Sequence, residues 1–160
     1  MFEKIEIGKK EEKAVSFIDT EKYRIKHTDK IPLPYTVLSF GGQVVSTRKN
    51  IFGITGKAKV GKSFLMTLIN GAVLKKGETG VLASYLPKGK DKILYIDTEQ
   101  SDYHVSLVVN RIKDIAEENK MDNLLMYAFD SVPTQQRFDY TEFLILNTKD
   151  IGLVIIDGIS

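Results

Sequence analysis

The feature that most constrains the fold of this chain is a glycine- and lysine-rich run, GKAKVGKS, at residues 56–63. It fits the pattern G-x-x-x-x-G-K-[ST], in which backbone N–H groups cradle phosphates, the lysine reaches the β- and γ-phosphates and the final hydroxyl binds Mg²⁺. Gly56 and Gly61 permit backbone conformations and a close phosphate approach that a Cβ atom would hinder. Lys62 and Ser63 supply the cation and the hydroxyl. The run therefore predicts a phosphate-binding loop.

The residues on either side of this run supply the context that the motif needs. The preceding segment IFGIT, residues 51–55, has the character of a short apolar strand, and residues 63–76 repeat apolar side chains at helical spacing. A strand, a loop and a helix in this order place backbone N–H groups at a helix N-terminus, which attracts anions. We expect a bound nucleoside triphosphate, contacted by nine consecutive residues: Gly56, Lys57, Ala58, Lys59, Val60, Gly61, Lys62, Ser63 and Phe64.

After the loop, apolar strands alternate with amphipathic helices. Strands are predicted over residues 92–97, 124–129 and 151–157, and helices over residues 101–119 and 140–148. This alternation is typical of an α/β fold whose parallel strands are joined by right-handed crossovers. Residues 1–45 are charge-dense and interrupted by prolines, so we expect an N-terminal arm or cap there and a nucleotide-binding core over residues 46–160.

Two of the predicted strands end in an aspartate that could complete the site. Residues 93–97 and 153–157 each consist of four apolar residues followed by an acid, Asp97 and Asp157. A triphosphatase needs one carboxylate to hold Mg²⁺, directly or through water, and another to orient the attacking water. If Asp97 held the metal, the pattern would resemble small GTPases, although their D-x-x-G glycine is missing here. If Asp157 held it, Glu99 would be free to activate water, and we favour this second assignment.

With these residues in place, the chain resembles the RecA-type ATPases, which include recombinases, replicative helicases and the KaiC group. The resemblance covers about residues 31–160 and rests on GKAKVGKS, on LYIDTEQS at residues 94–101 and on LVIIDGIS at residues 153–160. The proline-bearing segment before the loop is most similar to plasmid-type hexameric helicases of the RepA kind. The resemblance implies a three-layer P-loop fold around a mainly parallel central sheet. We expect this core to be cut short after its Walker B strand, in a chain that is part of a longer protein.

The resemblance also implies roles for individual residues and partners. Asp157 would be the Walker B acid that binds Mg²⁺ together with Ser63, and Glu99 and Lys62 would be the catalytic residues, with ATP and Mg²⁺ as cofactors. Members of the family commonly work as rings or filaments and complete their site with a basic finger from a neighbouring subunit. A homo-oligomer is therefore expected, with single-stranded DNA as a further partner.

Composition adds information on charge and compartment. The net charge is +2, but residues 1–92 hold 18 basic and 9 acidic side chains, whereas residues 93–160 hold 5 and 12. A basic half can favour a polyanion such as nucleic acid, but on this feature alone we favour a solvated surface. The chain has no cysteine and no apolar run of the roughly 18 residues that a membrane span needs. We expect a cytoplasmic protein without a membrane partner.

These observations favour a Mg²⁺-dependent ATPase that acts as a DNA helicase or translocase in plasmid or mobile-element replication or mobilisation. One alternative is a nucleotide-gated switch or assembly ATPase of the KaiC or recombinase kind, without helicase activity. Another is a small-molecule phosphotransferase, which would need a lid with arginines that close over the phosphates. The region after Ile93 has few basic residues from which such a lid could be built.

Overall fold

The structure is a computed structural model that describes residues 20–57, 59–117 and 121–158. Residues from Pro34 onward form one compact unit, and the residues before it belong to a second unit in which Thr20–Tyr23 make a 3₁₀ turn. The predicted boundary between arm and core, near residue 45, stays a prediction. The helices are α1 (Lys62–Lys75), α2 (Asp102–Ile115) and α3 (Thr134–Asn147). The strands are β1 (Thr36–Phe40), β2 (Gln43–Thr47), β3 (Glu78–Thr79), β4 (Leu82–Ser84), β5 (Lys92–Asp97), β6 (Leu124–Ala128) and β7 (Ile151–Asp157).

A parallel sheet with the strand order β6-β5-β7 forms the centre of the compact unit. Its middle strand, β5, is buried from Ile93 to Asp97, because it has a strand on each edge and helices on both faces. This environment explains why β5 is a continuous apolar run rather than an alternating one. The register pairs Tyr95 with Ile155 and Asp97 with Asp157. The predicted α/β class is confirmed. The register places the two aspartates side by side at the carboxyl end of the parallel strands.

A second, antiparallel sheet has the strand order β2-β1-β4-β3. The prediction of one mainly parallel sheet is therefore confirmed only in its coarser form, an α/β protein with a small parallel sheet of three strands. The reason lies in the short connections. β1 and β2 are joined by Gly41 and Gly42 alone, and a two-residue hairpin can only join antiparallel strands.

The prediction of a strand just before the glycine- and lysine-rich loop is wrong. Residues 51–57 have no regular secondary structure, and the side chain of Ile51 is fully exposed. An apolar pattern favours a strand only where a neighbouring strand offers hydrogen-bond partners. The chain instead leaves β2 at Thr47 and turns at Lys49, which has a φ of +67°.

The core lies on both faces of β5. On one face, α1 and α2 pack against Ile93, Tyr95 and Ile155 of the sheet. On the other face, Leu94 and Ile96 pack against Phe129, with Leu144 of α3 at the periphery. α3 begins at Thr134, earlier than the predicted 140, and its N-cap residue is Pro133, a position whose own N–H has no acceptor within a helix.

Candidate nucleotide-binding site

Within the glycine- and lysine-rich loop, Lys62 makes hydrogen bonds to the backbone at the start of the loop. The Nζ atom of Lys62 donates to the carbonyl oxygens of Gly56 at 3.0 Å and Lys57 at 3.1 Å. The ammonium group therefore lies inside the curve of the loop, at the start of α1. A phosphate oxygen in the same place would exchange these two neutral acceptors for a charge-assisted contact with the same ammonium.

The start of α1 is built to expose backbone N–H groups. Its N-cap residue, Gly61, has a φ of +89°, a conformation that a side chain would strain, and no side chain caps the helix in the described part of the loop. The N–H groups of the first helical turn therefore have no intrahelical acceptor and point out of the helix N-terminus. Gly56 meets a second constraint, since a Cβ atom there would lie 2.9 Å from Cγ2 of Val60. These features together suit an anion.

The structure brings Ser63 and Asp157 together, although 94 positions separate them in the chain. Ser63 lies in the first turn of α1 and Asp157 ends β7, and the Ser63 Oγ is 3.4 Å from the Asp157 Oδ2. Two neighbouring ligands of a Mg²⁺ ion that binds oxygens at about 2.1 Å are separated by about 3 Å. A hydroxyl and a carboxylate at this spacing, with phosphate and water oxygens, make the all-oxygen set that Mg²⁺ prefers. Ser63 and Asp157 thus fit a Mg²⁺ ion held mainly by its nucleotide.

The carboxylate of Asp157 has a second hydrogen-bond partner that was not predicted from the sequence. The hydroxyl of Tyr95, a fully buried residue of β5, donates to the same Oδ2 atom of Asp157 at 2.9 Å. Burial, together with the neighbouring charge of Asp157, raises the pKa of Tyr95 far above its usual range, so that the hydroxyl stays protonated. The available signal was a tyrosine inside an otherwise aliphatic buried strand, because a buried hydroxyl requires a partner.

Asp97, the other candidate acid, has a different set of partners. Its Oδ1 accepts the N–H groups of Glu99 at 3.0 Å and Gln100 at 2.8 Å, and its Oδ2 accepts Nε2 of Gln100 at 2.7 Å. Burial raises the pKa of the Asp97 carboxyl, and these hydrogen bonds partly oppose the shift. Both oxygens of Asp97 therefore hold the turn that follows β5. Ser63 contacts Asp157, as the favoured assignment requires.

Glu99 lies on that turn, beside the end of β7. A Cβ atom at Gly158, which has a φ of +85°, would come within 2.8 Å of Cδ of Glu99. The preceding residue joins the turn to β7, since the N–H of Thr98 donates to the carbonyl of Asp157 at 3.0 Å and its hydroxyl donates to the carbonyl of Gly158. The Glu99 side chain is exposed. It can therefore contact a ligand bound at the carboxyl end of the strands, beside Asp157.

The other residues predicted to contact the nucleotide belong to the loop and to the first turn of α1. Lys57, Lys59, Val60 and Phe64 are exposed, and Lys59 has a φ of +63°. Ala58 lies outside the described residues.

Arg137, the only arginine after Ile112 in the sequence, lies in α3. It donates from Nε to the carbonyl of Val132 at 2.9 Å and from Nη2 to that of Asp130 at 3.1 Å. This arginine holds a turn of its own chain.

Other features of the structure do not mark the site independently. Within residues 20–57, 59–117 and 121–158, no group of three or more His, Cys, Asp or Glu side chains is arranged to hold a metal ion. A cavity of about 610 Å³ lies beside β7 and is lined by residues such as Ile51, Met66 and Leu153, but by none of the described residues within 56–63. The loop geometry and the acidic strand ends, rather than this cavity, define the candidate site. No helix in the described ranges is long and apolar enough to cross a membrane.

In comparisons with family models, curated proteins and solved structures, the chain matched none of them. The assignment of a function therefore rests on the residues and on their arrangement.

Proposed function

We propose that this chain is a Mg²⁺-dependent ATP-binding and ATP-hydrolysing domain. The observation that carries the proposal is the meeting of Ser63 with Asp157 directly beside a loop whose lysine faces inward. A chance match to the loop pattern has no reason to place an acidic strand end, 94 positions away, against the motif's own hydroxyl. The α/β fold with a parallel sheet is compatible with this function but is shared by many others.

Each residue has a distinct part in the proposed chemistry. Lys62 places a positive charge where the β- and γ-phosphates would lie and stabilises the charge that develops during transfer. Ser63 and Asp157 would hold the Mg²⁺ ion, which would supply positive charge to neutralise the phosphates. Glu99, at the same edge of the sheet, accepts a hydrogen bond from a water molecule and aligns it with the γ-phosphate for in-line attack.

Nucleotide binding is the first test. Equilibrium titration with a fluorescent ATP analogue in the presence of Mg²⁺ should show saturable binding by the wild-type chain. Lys62→Ala should weaken this binding by at least about tenfold, because a charge-assisted contact with phosphate is lost. Lys88→Ala, at an exposed lysine outside the loop, is the matched control and should bind as the wild type does. A Lys62→Ala variant with unchanged affinity would show that the loop does not hold the phosphates.

Hydrolysis tests the role of Glu99 separately. Glu99→Gln keeps the shape of the side chain but removes its ability to accept a proton, so it should bind Mg-ATP normally and lose about 10²–10⁴-fold in turnover. Glu142→Gln, at an exposed position of α3, serves as the control. Normal hydrolysis by Glu99→Gln would mean that another group activates the water.

We also propose that the ATPase acts on single-stranded DNA as a helicase or translocase, in line with its resemblance to plasmid-type helicases. An exposed aromatic side chain, Tyr85, precedes a turn that carries Lys88 and Lys90. An aromatic ring can stack on a base of single-stranded DNA, while neighbouring cations neutralise the phosphates. Steady-state ATP hydrolysis with and without single-stranded DNA tests this proposal, with Lys62→Ala as background. Several-fold stimulation would support a motor. An equal rate of hydrolysis with and without DNA would favour a nucleotide-gated switch or assembly ATPase.

A further inference from the structure

The hydrogen bond between Tyr95 and Asp157 has no role in the phosphate-loop motif, and it lies within the proposed metal site. Tyr95 has no exposed surface, and its ring is part of the core formed by β5, α1 and α2. Its hydroxyl reaches the carboxylate of Asp157 on the neighbouring strand. A phenylalanine would fill the same space in this core, so packing alone does not explain the hydroxyl.

The register of the sheet explains why the hydroxyl reaches this carboxylate. Tyr95 pairs with Ile155 in the parallel ladder, and Asp157 is two residues further along β7. Side chains two residues apart on a strand point to the same face, so Ile155 and Asp157 share a face of the sheet with Tyr95. The long tyrosine ring extends towards the carboxyl ends of the strands, and its oxygen meets Asp157 there.

The same carboxylate oxygen also faces Ser63. The Asp157 Oδ2 lies 2.9 Å from the Tyr95 hydroxyl and 3.4 Å from the Ser63 hydroxyl. A carboxylate at the end of a strand can rotate about its χ2 torsion, which is broad for aspartate. A buried donor on one oxygen restricts this rotation and selects one orientation of the group towards Ser63.

We propose that Tyr95 is a positioning residue, whose hydroxyl holds the Asp157 carboxylate in the orientation in which it acts with Ser63 on the Mg²⁺ of a bound nucleotide. This inference rests on the proposed function. Tyr95 touches neither nucleotide nor metal in this role and acts through Asp157.

The test compares metal-dependent and metal-free nucleotide binding in Tyr95→Phe, which removes only the hydroxyl. ATP affinity is measured in EDTA and again across a Mg²⁺ titration. The EDTA affinity should stay within about twofold of wild type, whereas the Mg²⁺ concentration for half-maximal tight binding should rise about tenfold, a typical loss for one hydrogen bond to a charged group. Tyr127→Phe, on the neighbouring strand β6, is the matched control and should change neither value.

A double-mutant cycle shows whether Tyr95 acts through Asp157. In an Asp157→Asn background, Tyr95→Phe should cause little further change in the Mg²⁺ midpoint, because the two changes remove the same interaction. A full tenfold effect in that background would overturn the inference, as would an unchanged midpoint in the single variant. An equal loss of affinity with and without metal would also overturn it, since the effect would then come from the fold.

The outcomes separate this inference from the proposed function. A wild-type chain that binds no ATP overturns the proposed function, and the inference falls with it. Normal binding by wild type, together with a Tyr95→Phe variant that has the wild-type Mg²⁺ midpoint, overturns the inference alone.

Discussion

Asp97 and Asp157 end neighbouring strands in register, yet their carboxylates have different environments. Asp97 is fully buried and accepts three hydrogen bonds from Glu99 and Gln100. Asp157 is half-buried and contacts two hydroxyls, those of Ser63 and Tyr95. The first set of contacts holds a turn, and the second suits a metal ligand. The difference arises from the neighbours of each residue rather than from its type.

The buried carboxyl of Asp97 predicts a pH dependence of stability. Because burial raises its pKa in the folded protein above the ordinary 3.8, the folded state binds a proton more readily than the unfolded state does. The free energy of unfolding should therefore decrease as the pH rises from about 3.8 through the raised pKa, and should then level off. Asp97→Asn lacks this titration, and Gln100 can turn its amide to present an acceptor to the new side chain.

Urea unfolding in metal-free buffer from pH 4 to 7 measures this effect. The stability of Asp97→Asn relative to wild type should increase with pH across the window. Asp139→Asn, at an exposed position of α3, is the control. A difference between Asp97→Asn and wild type that decreases as the pH rises would show that hydrogen bonding outweighs burial at Asp97.

At the scale of elements, α1 connects the glycine- and lysine-rich loop to the core, so the packing of α1 determines where the loop lies. α1 touches α2 at Gly71, where a Cβ atom would lie 2.7 Å from Cβ of Ile115. Glycine weakens a helix interior by roughly 1 kcal/mol relative to alanine, so its presence here requires a packing reason. The close approach of the two helices is that reason.

Gly71→Ala should therefore destabilise the protein despite its better helix propensity. Overpacking of a core contact costs about 1–3 kcal/mol, and the gain in propensity offsets about 1 kcal/mol of this, so we expect a net loss of up to about 2 kcal/mol in the free energy of unfolding. Gly77→Ala is the matched control, since a Cβ atom there meets no atom within 4 Å. Chemical denaturation of both variants measures the difference. A Gly71→Ala protein more stable than wild type would mean that α1 and α2 separate easily.

For the whole molecule, protection against solvent is uneven. β5 has partners on both edges and is buried on both faces, so its backbone can exchange only when the sheet opens. α3 has no buried residue and exposes Phe138, Phe143 and Leu146. α3 packs against the sheet mainly through half-buried side chains such as Leu144.

Amide hydrogen exchange should reflect this difference. We expect the amides of β5 to exchange on the order of a hundredfold or more slowly than those of the middle of α3, because local opening of α3 exposes little buried surface. Mass spectrometry of peptides from residues 92–97 and 136–146 measures both segments in one sample. Equal protection would show that α3 opens only together with the sheet.

Much of the fold was predictable because its signals are local. The apolar runs of β5, β6 and β7 and the helical spacing of α1 and α2 lie within short windows, and their alternation predicts a parallel sheet. The strand predicted at residues 51–55 failed because strand formation depends on a partner, which a local pattern does not contain. The separate antiparallel sheet was not predicted for a related reason, because a local pattern does not show which strands pair or in which direction.

The sequence by itself determined the glycine- and lysine-rich loop and the two acidic strand ends, because glycine, lysine and serine at fixed spacing have defined backbone and charge properties wherever the chain places them. Only the tertiary structure decided which acid meets the loop. The parallel register puts Asp97 and Asp157 side by side, and the packing of α1 then directs Ser63 to Asp157. The same register places the Tyr95 hydroxyl beside that carboxylate, to which it donates a hydrogen bond. Contacts between residues far apart in the chain depend on how the elements pack, and no local pattern encodes that packing.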